Sequence, residues 1–176
     1  SYALSNWRRT DKAARVTFDN LSLIRSFSGL PSESGFILVH VAMVAKTPKL
    51  VQATFSVIQA AHDGLREAFD ASMKEFGAVL QEINAVMEEM WTRSRPADYQ
   101  KFRTFIMGVK SQPMFPNGVI YEGVSPHPMS FRGESGANDS IIPTADNLLE
   151  LYDQMPNNPL TDILKDFRTY RPIGHQ

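Results

Sequence analysis

The chain contains no cysteine. That absence removes disulfide frameworks, thiolate nucleophiles and thiolate-bound metals, and it fits a cytoplasmic setting. Histidine is scarce: His40, His62, His127 and His175 are all there is. No HxxxH or HExxH pair forms among them, so a zinc site built by this chain alone is not expected. Neither sign of charge dominates. A formal net charge of -1 gives no general electrostatic case for nucleic acid or an anionic membrane as a partner. The longest apolar run, GFILVHVAMVA from Gly35 to Ala45, falls short of the roughly 20 apolar residues that span a bilayer. There is no signal-peptide pattern, internal repeat, GxSxG elbow or Walker-type loop.

What is present is a helical pattern. A length of 176 residues with 43% hydrophobic content suits one domain with a real core. Residues 27–35, FSGLPSESG, read as a loop, with Ser32 or Ser34 able to cap a helix over about 35–46. Thr47-Pro48 is a cap-plus-proline start for a second helix reaching about Ala61. Leu65, Phe69, Met73, Phe76, Leu80, Ile83, Met87 and Met90 step by four and three, which predicts one long helix over about 63–93 with its apolar stripe in the core. Pro96 opens another over 96–108. From Gly108 to Pro143 glycine and proline break every period. So long a connection in a helical domain is expected to have a task. GVIYEG (118–123) reads as a short extended piece within it. Helices resume over about 144–154 and 159–169, the latter from Asn158-Pro159. The expected class is all-α, with a long glycine- and proline-rich loop between helices.

Three features could carry chemistry. His40 is the one polar side chain in the oily run, and it reads either as a satisfied core histidine or as a group aimed at a ligand. Phe36 lies one turn before it on the same face. Arg103 reads either as half of a surface ion pair or as a carboxylate clamp, for which a planar guanidinium is well suited. Tyr99 precedes it by four and points the same way. GESGA (133–137) is glycine-rich but follows no convincing strand, so it is a weak phosphate cradle.

Four segments carry a resemblance that single motifs do not. LSNWRR (4–9), SGFILVHV (34–41), FRTFIMGVKSQPMFPNGVIYEGV (102–124) and FRGESGANDS (131–140) together resemble the indoleamine 2,3-dioxygenases, haem enzymes that open the indole ring of tryptophan. The likeness runs in order along essentially the whole chain. It implies a large all-α domain that holds haem b, preceded in the family by a smaller N-terminal domain. It implies that Phe36 lies against the indole, that Arg103 binds the substrate carboxylate, and that Tyr99 is the aromatic near that clamp. Ser135 matches the serine that contacts a haem propionate. Gly133, Gly136 and Ala137 match small residues that let the loop approach the porphyrin, where backbone must come close. His40 stands where the mammalian enzymes have serine, and tryptophan 2,3-dioxygenases place a histidine in their distal pocket. The implied role of His40 is to face the substrate and accept a hydrogen bond from the indole N–H. Asp98 stands where the family often has phenylalanine, a departure that bears on the shape of the pocket.

The family's proximal histidine, the axial iron ligand, falls beyond Gln176, and His175 matches a different position. The metal-ligand set expected of this chain is therefore none. The chain begins at Ser1 rather than Met and reads as an internal part of a larger protein, whose remaining segments belong to the same protein or to a separate chain. The implied activity is insertion of O2 into the indole C2–C3 bond of L-tryptophan to give N-formylkynurenine. Two rivals from other classes are an oxygen-binding haem protein of the same fold and a haem-free helical interaction module. A carrier has no use for an amino-acid clamp at Arg103, and a plain bundle has no use for the glycine-rich loop.

Overall fold

A computed structural model describes residues 5–106, 108–133, 141–169 and 173–175. It is mainly helical, as expected. The chain divides into two compact units, Ser1–Lys46 with Gln81–Glu134, and Thr47–Leu80 with Ser135–Gln176.

The first unit opens with a hairpin that the sequence did not announce. Strands β1 (Trp7–Arg9) and β2 (Leu21–Leu23) pair antiparallel, Trp7 opposite Leu23 and Arg9 opposite Leu21. Asn20 organises the connection: its side-chain amide donates to the carbonyls of Asp11 and Arg15, and its Oδ1 accepts from the Asp11 N–H. Leu21 packs with Leu38 and Val41 in a small core ringed by Trp7, Val16, Phe18 and Leu23.

Leu38 and Val41 belong to α1 (Pro31–Val44). This helix starts four residues before the expected 35, and neither serine caps it. Leu30 is extended at the N-cap and Pro31 occupies the first turn, where its fixed φ and missing N–H do no harm. The SGLPSES composition looked like loop because it ignores one side chain. Glu33 is fully buried and its carboxylate takes four donors: Ser26 Oγ, Phe27 N–H, Ser28 N–H and Ser28 Oγ, at 2.6 to 2.8 Å. A buried charge so fully bonded can be kept, and it folds the 26–28 turn onto the helix start.

The expected helix over 63–93 is interrupted at Glu89, giving α3 (Arg66–Glu88) and α4 (Met90–Arg93), with α2 (Thr47–His62) before it. The apolar stripe is buried only in its middle. Phe76 is 1% exposed, whereas Leu65 and Met87 are 55% and 47% exposed. Gly35 lets α1 and α4 touch: a Cβ there would lie 1.9 Å from the carbonyl oxygen of Arg93. The Arg93 side chain lies 4.1 Å over the Phe18 ring and pairs with Asp19 and Glu89. Helix α5 (Pro96–Ile106) completes this part.

In the second unit, α2 packs on α6 (Ile141–Leu148), burying Leu50, Ala53, Thr54, Val57 and Ala60. The helix expected over 144–154 ends at Leu148, and Glu150 takes a left-handed φ of 54°. Helix α7 (Pro159–Thr169) begins as its sequence predicts, with Asn158 Oδ1 accepting from the Thr161 N–H. Arg168 pairs with Asp146, tying α7 to α6. By length and composition the stretch Pro31–His62 is apolar enough to cross a membrane. It is two helices rather than one, with Ala45 and Lys46 turning between them, and the α1 half is the packed centre of the first unit.

Candidate functional site

Helices α1 and α5 bring an aromatic cluster together. The Phe36 ring centroid lies 4.7 Å from the His40 ring, 5.0 Å from Tyr99 and 6.0 Å from Phe102. Tyr99 and Phe102 meet edge-on at 5.4 Å. The tilted and edge-to-face geometries are those that aromatic quadrupoles favour. Spacing produces the cluster: Phe36 and His40 are four apart on α1, as Tyr99 and Arg103 are on α5. Phe102 is 1% exposed and anchors the group, while Phe36, His40 and Tyr99 are half-buried, with open faces.

His40 is satisfied on one ring nitrogen, as a core histidine would be. Its Nδ1 lies 2.7 Å from the carbonyl oxygen of Phe36. A carbonyl can only accept, so the neutral ring carries its proton on Nδ1, and Nε2 is left as an acceptor. Nε2 has no hydrogen-bond partner among the described residues.

Arg103 is exposed, and its guanidinium carbon lies 5.8 Å from the Tyr99 ring centroid. The surface ion pair that would explain it away is not found: among the described residues no carboxylate pairs with it. The four substrate-facing candidates, Phe36, His40, Tyr99 and Arg103, thus form one continuous chain of contacts.

The loop candidates divide. Gly133 is half-buried against the end of α5. A Cβ at Gly108 would sit 2.0 Å from the Gly133 nitrogen, and Lys110 N–H donates to the Phe131 carbonyl at 2.9 Å. Further out the loop is pinned by one antiparallel bridge, Val119 with Met129. The extended piece expected over 118–123 reduces to that bridge and turns. Ser135, Gly136 and Ala137 lie outside the described residues.

Asp98, which departs from the family pattern, has a structural role on α5. It is 6% exposed, and its carboxylate is held by Ser32 Oγ at 2.9 Å, Arg95 Nε at 3.0 Å and Lys101 Nζ at 2.9 Å. Its pKa lies below the usual carboxylate value, chiefly through the hydrogen bonds from Lys101 and then Ser32, with the Arg95 charge adding to them. The i, i+3 spacing to Lys101 and to Arg95 was readable; the partner on α1 was not.

These residues are compatible with the substrate side of a haem pocket: a histidine ring nitrogen and a guanidinium that are without polar partners among the described residues, an aromatic wall, and a loop brought close by glycine. The described residues hold no cluster of three or more metal-binding side chains; His62 bonds Asp63 at the end of α2.

The described residues thus bring together an aromatic cluster, one ring nitrogen of His40 and the Arg103 guanidinium on two adjoining helices. The indoleamine 2,3-dioxygenase family model matches residues 1–176, and the chain belongs to that family. It is similar to indoleamine 2,3-dioxygenase 1 of Rattus norvegicus, at 27% identity over 180 residues, covering 100% of this chain and 44% of the relative. It is 31% identical over 174 residues to indoleamine 2,3-dioxygenase 2 of Homo sapiens, covering 98% of this chain and 42% of that protein. The chain therefore spans less than half the length of these curated relatives.

Proposed function

We propose that this chain supplies the substrate-facing part of the large helical haem domain of a cytoplasmic dioxygenase. The reaction is insertion of both atoms of O2 across the C2–C3 bond of L-tryptophan to give N-formylkynurenine. The observation that carries the reading is the state of His40: Nδ1 engaged by the Phe36 carbonyl, with Nε2 beside an aromatic wall that leads to Arg103, both without polar partners among the described residues.

Each side chain has a separate task. Phe36 fixes the plane of the indole by ring contact. Nε2 of His40 accepts from the indole N–H and sets which edge of the ring is presented. Arg103 binds the carboxylate with a charge-assisted fork, and Tyr99 packs under that guanidinium. Together they hold the substrate in one orientation and exclude water from its apolar face. Haem b, when bound, supplies the oxygen activation. Gly133, Ser135, Gly136 and Ala137 would meet its edge, with Ser135 toward a propionate. The side chain that would hold the iron would come from remaining segments of the protein, in the same or a separate chain.

Supplying the full-length protein with haem, reductant, O2 and L-tryptophan, and following N-formylkynurenine by its absorbance, tests the proposal. Product formation is the expected result. Reversible O2 binding without product would make the protein a carrier, and failure to take up haem would leave a helical interaction module.

A further inference from the structure

The two halves of the candidate site sit on different helices, so its geometry depends on how α5 is seated along α1. Apolar ring contacts decide that the helices touch, but they are non-directional and tolerate sliding. A directional contact is needed to fix the register. Ser32 and Asp98 provide one. Ser32 Oγ donates to Asp98 Oδ2 at 2.9 Å and accepts from the Arg95 backbone N–H at 3.3 Å. The hydroxyl thus joins the first turn of α1 to both the entry and the first turn of α5. Both side chains are buried, at 4% and 6% exposure, where a hydrogen bond is worth most and a misplaced one costs most.

We propose that Ser32 and Asp98 are positioning residues that set the separation between the indole-binding groups on α1 and the carboxylate-binding Arg103 on α5. This rests on the substrate reading given above. Ser32 is one turn before Phe36 and two before His40, and Asp98 is five residues before Arg103. A slip of α5 by a fraction of a turn, about 1.5 Å per residue of rise, would shift Arg103 relative to His40 while leaving each helix intact. The remaining bonds to Asp98 come from its own helix end, through Arg95 and Lys101. Removing the Ser32 hydroxyl therefore loosens the register without stranding the carboxylate.

The consequence is selective. A ligand that uses both helices depends on the brace; one that uses only α1 does not. Tryptamine keeps the indole and lacks the carboxylate. Calorimetric titration of the full-length protein with L-tryptophan and with tryptamine gives a ratio of affinities that reads the register directly. For Ser32→Ala and Asp98→Asn the preference for L-tryptophan should fall about three- to tenfold, with tryptamine affinity unchanged. Ser32→Thr, which keeps a hydroxyl, should restore it. Arg103→Ala in the same series must abolish the preference. If it does not, the substrate reading fails and the brace fails with it. If it does, yet Ser32→Ala and Asp98→Asn keep the parent ratio, the substrate reading stands and the pair is only structural.

Discussion

His40 Nδ1 donates to the carbonyl oxygen of Phe36 at 2.7 Å, one helical turn back on the same helix. The contact fixes the imidazole tautomer and leaves Nε2 as an acceptor beside the aromatic wall. A site that bonds an indole N–H leaves a buried acceptor unpaired when that N–H is methylated. L-tryptophan should therefore bind far better than 1-methyl-tryptophan, and His40→Ser should narrow the gap while retaining turnover. Affinity for both ligands, measured in both proteins at one pH, checks this. A ratio unchanged by the substitution would reduce the Phe36 bond to core satisfaction.

The Arg103 guanidinium lies 5.8 Å from the Tyr99 ring centroid, and among the described residues no ion pair takes up its charge. Losing a charge-assisted clamp costs roughly 1.5–3 kcal/mol. Arg103→Ala should thus lower kcat/KM for L-tryptophan at least tenfold, mainly through KM, with haem content unchanged. Near-parent kinetics in this variant would leave the arginine without a substrate role.

Gly35 carries a packing requirement rather than a chemical one. The Cβ of an alanine there would lie 1.9 Å from the Arg93 carbonyl oxygen, and backbone must move to admit it. Overpacking of this kind costs about 1–3 kcal/mol. Gly35→Ala should lower the midpoint of urea unfolding and weaken L-tryptophan binding, because Phe36 is the next residue. Full stability in that variant would contradict the close approach of α1 to α4.

Asp98 gives stability a pH dependence of known sign. Its folded-state pKa lies below the ordinary carboxylate value because Lys101 and Ser32 bond the charged form. A depressed carboxylate stabilises the fold above its unfolded pKa of about 3.9 and loses that contribution as pH falls through the lower folded value. The stability difference between the parent and Asp98→Asn should be constant near neutrality and shrink below about pH 4. Lys101 and Arg95 are exposed, so added salt should reduce the difference. A gap that widened in acid would reverse the assignment.

Local signals were readable wherever one residue sets the backbone. Pro96 and Asn158-Pro159 opened helices where the structure has them. The start of α1 was missed because the Ser and Gly content around Pro31 describes a loop, while the deciding feature is the buried Glu33 carboxylate gathering the turn before it. The 7–9 and 21–23 hairpin was missed because three-residue strands carry no period and their pairing spans an irregular connection. The proximity of Phe36 to His40 and of Tyr99 to Arg103 was legible in their four-residue spacings. The Ser32–Asp98 bond joins residues 66 apart in the chain, and nothing local in either segment announces the other.

Heavy-isotope oxygen gas tests the central claim most directly. The full-length haem-loaded protein, given L-tryptophan under labelled O2 in unlabelled water, should yield N-formylkynurenine carrying two labelled oxygen atoms, read by mass spectrometry of the product before any hydrolysis. Product with a single labelled atom, or no labelled product from a protein that binds both haem and L-tryptophan, would contradict it.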